Sequence, residues 1–464
     1  MTTMKSFLTP LLTALVLAGC ATVPEIDPAS IPAAPAAFKE EGRWTEAPPA
    51  EAAQRGRWWV SFSDPVLDDL IARADRGNTT IQVAAARLDQ ARALLRASRA
   101  EQLPQVGVGA GAIRVDGLPT NRAGSPSTLA TAAGAVSYEV DLFGRLAQAT
   151  NAASLDAQSR EALLQSTRLL VEAEVAQTYL SLRALDVERA LVRGTVVAYR
   201  DTLTLTERRH RAGDVAELDV TRALTEVAAT ESEAIALDRR RAELEHALAV
   251  LVGEVASNFS LAEAEWKTSL PVIPPGVPST VLTRRPDVSA AQASLIAAQA
   301  RVGVAQAAWF PDISLTASGG YASSEIGDLF KWSARAWGVG ALLSLPIFDG
   351  GRREAGIQNA RGEMDASLAR YREQILVAFR EVEDQLSSLR LLAEQAQAQE
   401  RAVQGAARTT SLSDVRYRNG LVSQLELLDA RRSELRNRRQ ALQVRSAQYQ
   451  STVALVRALG GSWN

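Results

Sequence analysis

Residues that could carry out acid–base or metal chemistry are few in this chain and poorly spaced for it. The 464 residues include two histidines, His210 and His246, and one cysteine, Cys20. A metal site needs several converging ligands, and these three positions have no such spacing. No nucleophile elbow or glycine-rich phosphate loop is present, and Asp and Glu fall mostly on helical patterns with solvated faces. The sequence predicts no catalytic residue, metal or cofactor, so we expect that the chain is not an enzyme.

Cys20 has a chemical setting of its own, because it follows a short export signal. Lys5 precedes an apolar run, and Leu17-Ala18-Gly19-Cys20 stands where a signal peptidase would cut. This tetrapeptide resembles the bacterial lipobox, in which the cysteine becomes the N-terminus and carries lipid. Lipidation also accounts for a lone thiol in an exported protein. We expect a signal peptide at residues 1–19 and a covalent lipid on Cys20. The alternative is an ordinary signal peptide with an incidental cysteine.

Composition narrows the class of protein further. The formal net charge is -2, with 51 basic and 53 acidic residues interspersed, so no nucleic-acid partner is expected. Hydrophobic residues make up 47% of the chain but aromatic residues only 5%, a mixture typical of long, closely packed helices. Outside the signal, no stretch approaches the ~20 apolar residues of a transmembrane helix. A membrane-crossing part of the mature chain would therefore have to consist of β-strands.

An internal duplication with a constant offset of 207 residues organises the chain. Turn-forming and helix-breaking residues of the first half recur at that offset without a gap. Because Gly and Pro interrupt regular structure most strongly, their agreement predicts two copies of one architecture. The matching positions are Pro104 and Pro311, Gly144-Arg145 and Gly351-Arg352, Gly213 and Gly420, Leu218 and Leu425, and Gly253 and Gly460.

Each copy is predicted to contain a helix, a strand pair and two long helical stretches. Asp64-Pro65 starts the first helix, since Asp caps free amides and Pro suits the first turn, and helical periodicity runs to about Gln102. Period-two alternation then predicts strands. A helix of about 60 residues spans roughly 90 Å, so the long helices must pack side by side. The predicted strand pairs lie within 105–143 and 312–349, and the long helices cover about 146–210, 215–252, 354–418 and 421–459.

The strands predict a barrel shared between subunits. Four strands per chain are too few to close a barrel, and open sheet edges are not tolerated in lipid. A dimer would supply 8 strands and a filled interior, whereas a trimer would supply 12 strands and leave a lumen. The polar positions Ser137, Glu139 and Asp141 favour a water-filled bore. Candidate aromatic residues at the membrane interface are Tyr138, Tyr321, Trp332 and Trp337.

Several motifs together resemble the TolC-like (NodT/OprM-type) outer-membrane efflux lipoproteins over nearly the whole mature chain. These motifs are the lipobox, the duplication, Leu142-Phe-Gly-Arg145, Ile347-Phe-Asp-Gly-Gly-Arg352 and Arg284-Arg-Pro-Asp287. The resemblance implies a mixed α and β membrane protein, a homotrimer with a 12-stranded barrel in the outer membrane. A long α-helical barrel would continue it through the periplasm, with an equatorial domain. The implied partners are a periplasmic adaptor, an inner-membrane pump and outer-membrane lipid.

The segment Arg416–Arg432 resembles the family's periplasmic-tip motif, where a helical hairpin turns at Gly420. By that resemblance Leu425 and Asp429 form two constriction rings with Arg432 close by, while Arg416 and Tyr417 tie neighbouring helices together. Leu425, Asp429 and Arg432 are spaced i, i+4 and i+7, so they share one helix face. Three copies of Asp429 around a narrow bore would attract cations. Acidic partners of Arg416 are not identifiable from the sequence.

The resulting expectation is a passive exit duct for drugs or other small toxic compounds, lipid-anchored at the outer membrane. A type I protein-secretion duct and a non-porous periplasmic scaffold lipoprotein remain as alternatives, and a hydrolase fits least. The expected domains are the signal peptide (1–19), a lipidated extended segment (20–62), the first repeat (63–253), a linker and equatorial segment (254–276) and the second repeat (277–464).

Overall fold

The computed structural model describes residues 26–35, 37–40, 57–115, 127–271 and 284–461. The expected signal peptide, Cys20, the loop at 116–126 and most of the proline-rich joint between the copies lie outside the described residues. Among the helices that are described, none is long and apolar enough to cross a membrane.

The described part of the chain is mostly helical. Two helices of equal length, 67 residues each, are each followed by a helix of 35 residues. The two long helices of the second half begin 207 residues after their first-half counterparts, as the sequence offset requires. The helices are α1 (Pro65–Gly77), α2 (Thr79–Glu101), α3 (Arg145–Arg211), α4 (Glu217–Leu251), α5 (Pro286–Ala307), α6 (Arg352–Arg418) and α7 (Gln424–Ala458).

The first predicted helix is in fact two helices. Asp64 starts α1 as expected, because its Oδ1 accepts hydrogen bonds from the amides of Val66 and Leu67 at 3.0 and 3.3 Å. The chain then breaks at Asn78, whose Oδ1 accepts from the Thr80 amide at 2.9 Å and whose Nδ2 donates to Leu251 O at 2.8 Å. Asn78 therefore caps the start of α2 locally and also bonds the end of α4.

The described residues form two compact units, and the β-sheet belongs to the unit made of the described residues within 1–31, 86–161 and 290–373. Its order is β1-β2-β3-β4, antiparallel throughout. The last strand ends at Ser344 rather than near residue 349, since Pro346 cannot donate to a ladder. The strands are β1 (Gln105–Val115), β2 (Ser127–Val140), β3 (Asp312–Ser323) and β4 (Arg335–Ser344).

The pairing register gives the sheet two chemically different faces. Residues in directly opposed pairs share a face, and alternate residues of a strand point to opposite faces. The apolar face carries large side chains, whereas the other carries mainly small and polar ones. Members of the apolar face are Val106, Val108, Val136, Tyr138, Val140, Ile313, Leu315, Tyr321, Trp337, Val339 and Leu343. Members of the small-polar face include Gln105, Thr131, Ser137, Ser314, Thr316 and Ser318.

Short junctions join the strand pairs to the long helices. Gly144 has a φ of 75°, a left-handed conformation that favours glycine. Arg145 then bonds Glu139 through Nη2 at 2.6 and 2.7 Å, and Asp141 caps α3 by accepting from the Ala147 amide at 2.7 Å. Two of the carboxylates predicted to line a bore therefore have partners at this junction.

The second unit consists of the described residues within 32–85, 162–289 and 374–464, and it has most of the large, fully buried side chains. An aromatic group gathers around Tyr449, whose ring centroid lies 4.7 Å from that of Trp266 and 6.4 Å from that of Phe62. Its hydroxyl donates to Thr268 O at 2.6 Å. Trp266 and Thr268, in the segment after α4, therefore contact α7.

Candidate functional site

The second unit contains both helical hairpin turns, at residues 212–216 and 419–423. Gly213 and Gly420 have φ values of 81° and 73°, the left-handed conformation that ends many helices. The Leu421 amide donates to Arg416 O at 2.9 Å across the second turn. Ser423 then caps α7 by accepting from the Glu426 amide. The tip predicted from the sequence is thus a tight turn between α6 and α7.

Leu425, Asp429 and Arg432 lie on the first turns of α7 with exposed side chains. The side chain of Asp429 is 61% exposed, and its Oδ1 lies 3.2 Å from Nη1 of Arg432. Arg432 also forms an ion pair with Glu226 of α4, donating from Nε to Oε2 at 2.9 Å. These hydrogen bonds raise the pKa of the Arg432 guanidinium, so it stays charged. The carboxylate of Asp429 is therefore partly balanced within its own chain.

Arg416 and Tyr417 have different environments. Arg416 is exposed and faces Glu426 across the turn, with Nη1 3.5 Å from Oε1. Tyr417 is buried, and the guanidinium of Arg209 at the end of α3 lies 4.8 Å from its ring centroid. Tyr417 thus contacts the first hairpin, while Arg416 pairs within its own hairpin. His210, beside Arg209, is exposed and its Nδ1 lies 3.0 Å from Val215 O.

Arg431 is a contact residue that sequence reasoning missed. Its Nη1 donates to Ala198 O of α3 at 2.9 Å, and its Nη2 lies 3.0 Å from Asp414 Oδ1 of α6. One guanidinium therefore ties α7 to two other helices. The sequence does place two arginines side by side at 431 and 432. Because neighbouring residues of a helix point in different directions, two adjacent arginines are expected to have different partners.

A buried charge cluster binds the segment after α4 to the long helices. Asp186 of α3 is at its centre, with Arg183 Nη1 at 3.2 Å and Arg241 Nε at 2.8 Å. Arg183 Nη1 also donates to Ala262 O at 2.8 Å, and Arg189 Nη1 to Glu263 Oε1 at 2.8 Å. Buried ions of this kind are stable only when paired and hydrogen-bonded. The cluster positions residues 261–263.

The Arg284-Arg-Pro-Asp287 motif also has a structural role. Arg285 is buried, with Nη2 2.6 Å from Asp287 Oδ2 and Nη1 2.7 Å from Glu381 Oε2 of α6. The same Nη1 donates to Ala458 O at 3.2 Å, which joins the start of α5 to the end of α7. Within the described residues no group of three or more His, Cys, Asp or Glu side chains is arranged to bind a metal.

Comparisons with known proteins relate this architecture to outer-membrane proteins. A family model described as outer membrane efflux protein matches residues 70–254 and again residues 277–461. The toluene efflux pump outer membrane protein TtgC of Pseudomonas putida is 34% identical over 472 aligned residues, covering 99% of this chain and 96% of that protein. Outer membrane protein OprJ of Pseudomonas aeruginosa is 33% identical over 466 residues, covering 98% and 95%. The solved outer-membrane channel OprN gives a TM-score of 0.88 at 29% identity, covering 96% of this chain and 100% of that chain.

Proposed function

Since the chain belongs to the outer membrane efflux protein family, we propose that three copies of it form the exit duct of a tripartite efflux system. Membership in this family makes the protein an outer-membrane channel component and not an enzyme. In the proposed trimer, the four strands of each copy close one 12-stranded barrel. The α3–α4 and α6–α7 hairpins continue as a helical tunnel in the periplasm, with residues 254–276 in an equatorial domain.

The two-faced sheet is the observation that supports this proposal most directly. Its apolar face carries exposed large side chains, including Trp337 at 81% exposure and Val108 at 91%. Within the described chain β1 and β4 each pair on one side only, which leaves two edges open. Exposed edges in lipid are unfavourable, and pairing β1 of one copy with β4 of the next removes them. A non-porous scaffold gives neither the apolar face nor the edges a purpose.

The equal element lengths support two copies of one architecture within each chain. The helices of 67 and 35 residues recur in the same order, and the family model matches at the same offset of 207 residues. In a trimer, two hairpins from each chain then supply six similar hairpins around the tunnel. Because the six hairpins are similar, nearly the same contact between neighbours can repeat around the ring and close the layer of helices.

The other proposed partners are a lipid anchor, a periplasmic adaptor and an inner-membrane pump. We propose that Cys20, after removal of residues 1–19, carries lipid that anchors the protein to the outer membrane. A periplasmic adaptor and an inner-membrane pump deliver the substrate and supply the energy, and the duct itself is passive. Relatives are named for toluene and antibiotic efflux, which supports small toxic organic compounds as substrates. Those names favour efflux over type I protein secretion.

The proposed gate lies at the α6–α7 turn, where Leu425 and Asp429 of three chains form successive rings and Arg432 balances part of the charge. Adaptor binding would shift the population of tip conformations from closed to open. Tyr417 lies against Arg209, and Arg416 pairs with Glu426; in this proposal both contacts help to hold the tip closed.

Single-channel current across a planar bilayer tests this function. Wild-type protein is expected to give small, cation-preferring currents, and Leu425→Ala/Asp429→Ala larger ones. Leu218→Ala is the matched control, since Leu218 is the exposed counterpart of Leu425 at the first hairpin.

Two outcomes would contradict the proposal in different ways. A double variant that conducts no better than wild type shows that the gate residues are wrong while the channel stands. A delipidated protein that is released into water and never conducts shows that it is not a channel.

A further inference from the structure

The apolar face of the sheet ends in a cluster of aromatic side chains and one cation. Tyr321 and Arg335 are directly opposed in the β3–β4 register, and Phe330 in the connecting loop lies edge-on to Tyr321 with ring centroids 5.6 Å apart. Trp332 and Trp337 flank Arg335 in sequence and are 70% and 81% exposed. Large aromatic rings at this exposure favour a partly apolar, partly aqueous environment.

Arg335 has a fixed orientation in this cluster. Its guanidinium carbon lies 3.1 Å from the ring centroid of Trp332, and its Nε donates to Trp332 O at 2.9 Å. Within the described residues no carboxylate forms a salt bridge with Arg335, whereas neighbouring Lys331 is paired with Asp328 at 2.6 Å. The stacked guanidinium therefore presents its terminal N–H groups without an acidic partner from the described chain.

The position of Arg335 matches one boundary of an apolar band. Arg335, Trp337, Val339 and Leu343 share the apolar face, because alternate residues of β4 point the same way. Eight residues at ~3.4 Å span about 27 Å, and a strand tilt of ~35–45° reduces this to roughly 20 Å. That height is close to the ~25 Å apolar band of outer-membrane barrels. In the barrel of the proposed function, Arg335 therefore lies at a membrane–water boundary.

The boundary in question is the outer one. Val115 at the end of β1, Ser127 at the start of β2 and the loop 324–334 lie at the same end of the sheet, because consecutive strands are antiparallel. The helices α2, α3, α5 and α6 connect to the opposite strand ends. In a duct whose helices extend into the periplasm, the loop end faces the outer leaflet.

We propose that Arg335, stacked on Trp332, binds a phosphate group of an anionic lipid in the outer leaflet. The inference rests on the proposed function, since it requires the sheet to lie in the membrane. A planar guanidinium matches the oxygens of a phosphate and forms strong charge-assisted hydrogen bonds. Trp332 holds that plane in place by cation–π contact. Arg114, exposed near the loop end of β1 on the same face, is a second cation for the same kind of lipid.

Native mass spectrometry of the detergent-solubilised protein tests the site, with diphosphorylated lipid A as the probe. The same lipid without phosphates and inorganic phosphate are the comparison ligands. Wild type is expected to prefer the phosphorylated lipid, and Arg335→Gln to weaken its binding about tenfold, the effect of one lost charge-assisted contact. Arg401→Gln, at an exposed arginine of α6, is the matched control and should leave binding unchanged.

A second variant guards against misfolding of the first. Trp332→Leu leaves the charge of Arg335 in place but removes its platform, and it too should weaken binding of the phosphorylated lipid. Equal wild-type binding of lipid with and without phosphate overturns the proposal, as does unchanged binding in both variants. Tight binding of inorganic phosphate alone overturns it as well, because the ligand would then not be a lipid.

Bilayer recordings on the same preparations separate this proposal from the proposed function. If the wild-type protein conducts but does not discriminate between the lipids, the proposed channel function stands and only the lipid site is overturned. A protein that never enters a bilayer overturns both. Arg335→Gln that conducts like wild type but retains less phosphorylated lipid supports the site.

Discussion

Arg432 of α7 and Glu226 of α4 form an ion pair that joins the two hairpins of the chain. Nε of Arg432 donates to Oε2 of Glu226 at 2.9 Å, across 206 residues of sequence. The Glu226 side chain is only 15% exposed, whereas that of Arg432 is 49% exposed. The same guanidinium also pairs with Asp429. Arg432 therefore contacts both the other hairpin and a residue of the proposed gate.

Removing the charge of Glu226 should loosen this connection. Glu226→Gln weakens a partly exposed ion pair worth about 0.5–1 kcal/mol, so the open probability of the channel should rise by roughly threefold. Single-channel recording measures this open probability. Glu231→Gln is the control, because Glu231 pairs with Arg200 within the first hairpin. Equal effects of both substitutions would show that the link between hairpins has no special part in closure.

Arg431 should matter for stability more than its neighbours on α7. Arg431→Lys retains the charge, but one ammonium group cannot reach both Ala198 O and Asp414 as the guanidinium does. We expect a loss of about 1–3 kcal/mol in the free energy of unfolding, seen as a lower Tm in detergent. Exposed Arg436, for which Arg436→Lys is the control, should tolerate the change. A Tm as high as that of wild type for Arg431→Lys would contradict this role.

Glu172 of α3 should make the second unit less stable as the pH rises. Burial raises the pKa of its carboxyl group to about 7; a hydrogen bond from Trp58 Nε1 at 2.9 Å and Arg168 lower it, while Asp75 raises it. Because the folded-state pKa exceeds the ordinary value of 4.5, the folded state binds the proton more tightly. Its contribution to stability is complete below pH 4.5 and is lost as the pH rises through about 7.

Glu172→Gln should remove that pH dependence. At ~1.4 kcal/mol per pKa unit, the variant should be more stable than wild type by up to about 3 kcal/mol at pH 8. Denaturant unfolding between pH 4 and pH 8 measures the difference, with Glu174→Gln, at an exposed position of α3, as the control. Parallel pH profiles for wild type and Glu172→Gln would show that another group titrates.

Two glycines should respond oppositely to alanine. Gly460 has a φ of 89°, and a Cβ there would lie 2.7 Å from Arg284 O, so Gly460→Ala should cost at least ~2 kcal/mol. Gly405 lies inside α6, where a Cβ would have open space within 4 Å, and Gly405→Ala should gain about 0.5–1 kcal/mol. Thermal unfolding of both variants checks the contrast. A neutral Gly460→Ala would mean that the end of α7 is free to move away from α5.

Local patterns in the sequence predicted many of the helices, strands and turns. Period-two alternation predicted the strand pairs, and the register places Val136 and Tyr138 on one face, as that period requires. Asp64 begins a helix because a side-chain cap and the following proline act within a few residues. Gly213 and Gly420 end helices for an equally local reason, their left-handed backbone. Signals of this kind need no knowledge of the tertiary fold.

Only the tertiary structure decided which side chains meet. Asn78 bonds Leu251, and Tyr417 contacts Arg209, and in both cases the two residues are far apart in the sequence. Arg431 and Arg432 look alike in the sequence but bond to different helices, because adjacent helical positions differ by about 100° in direction. A periodic pattern specifies which face of a helix is buried. The partner on that face is set by how helices distant in sequence pack together, which no local pattern contains.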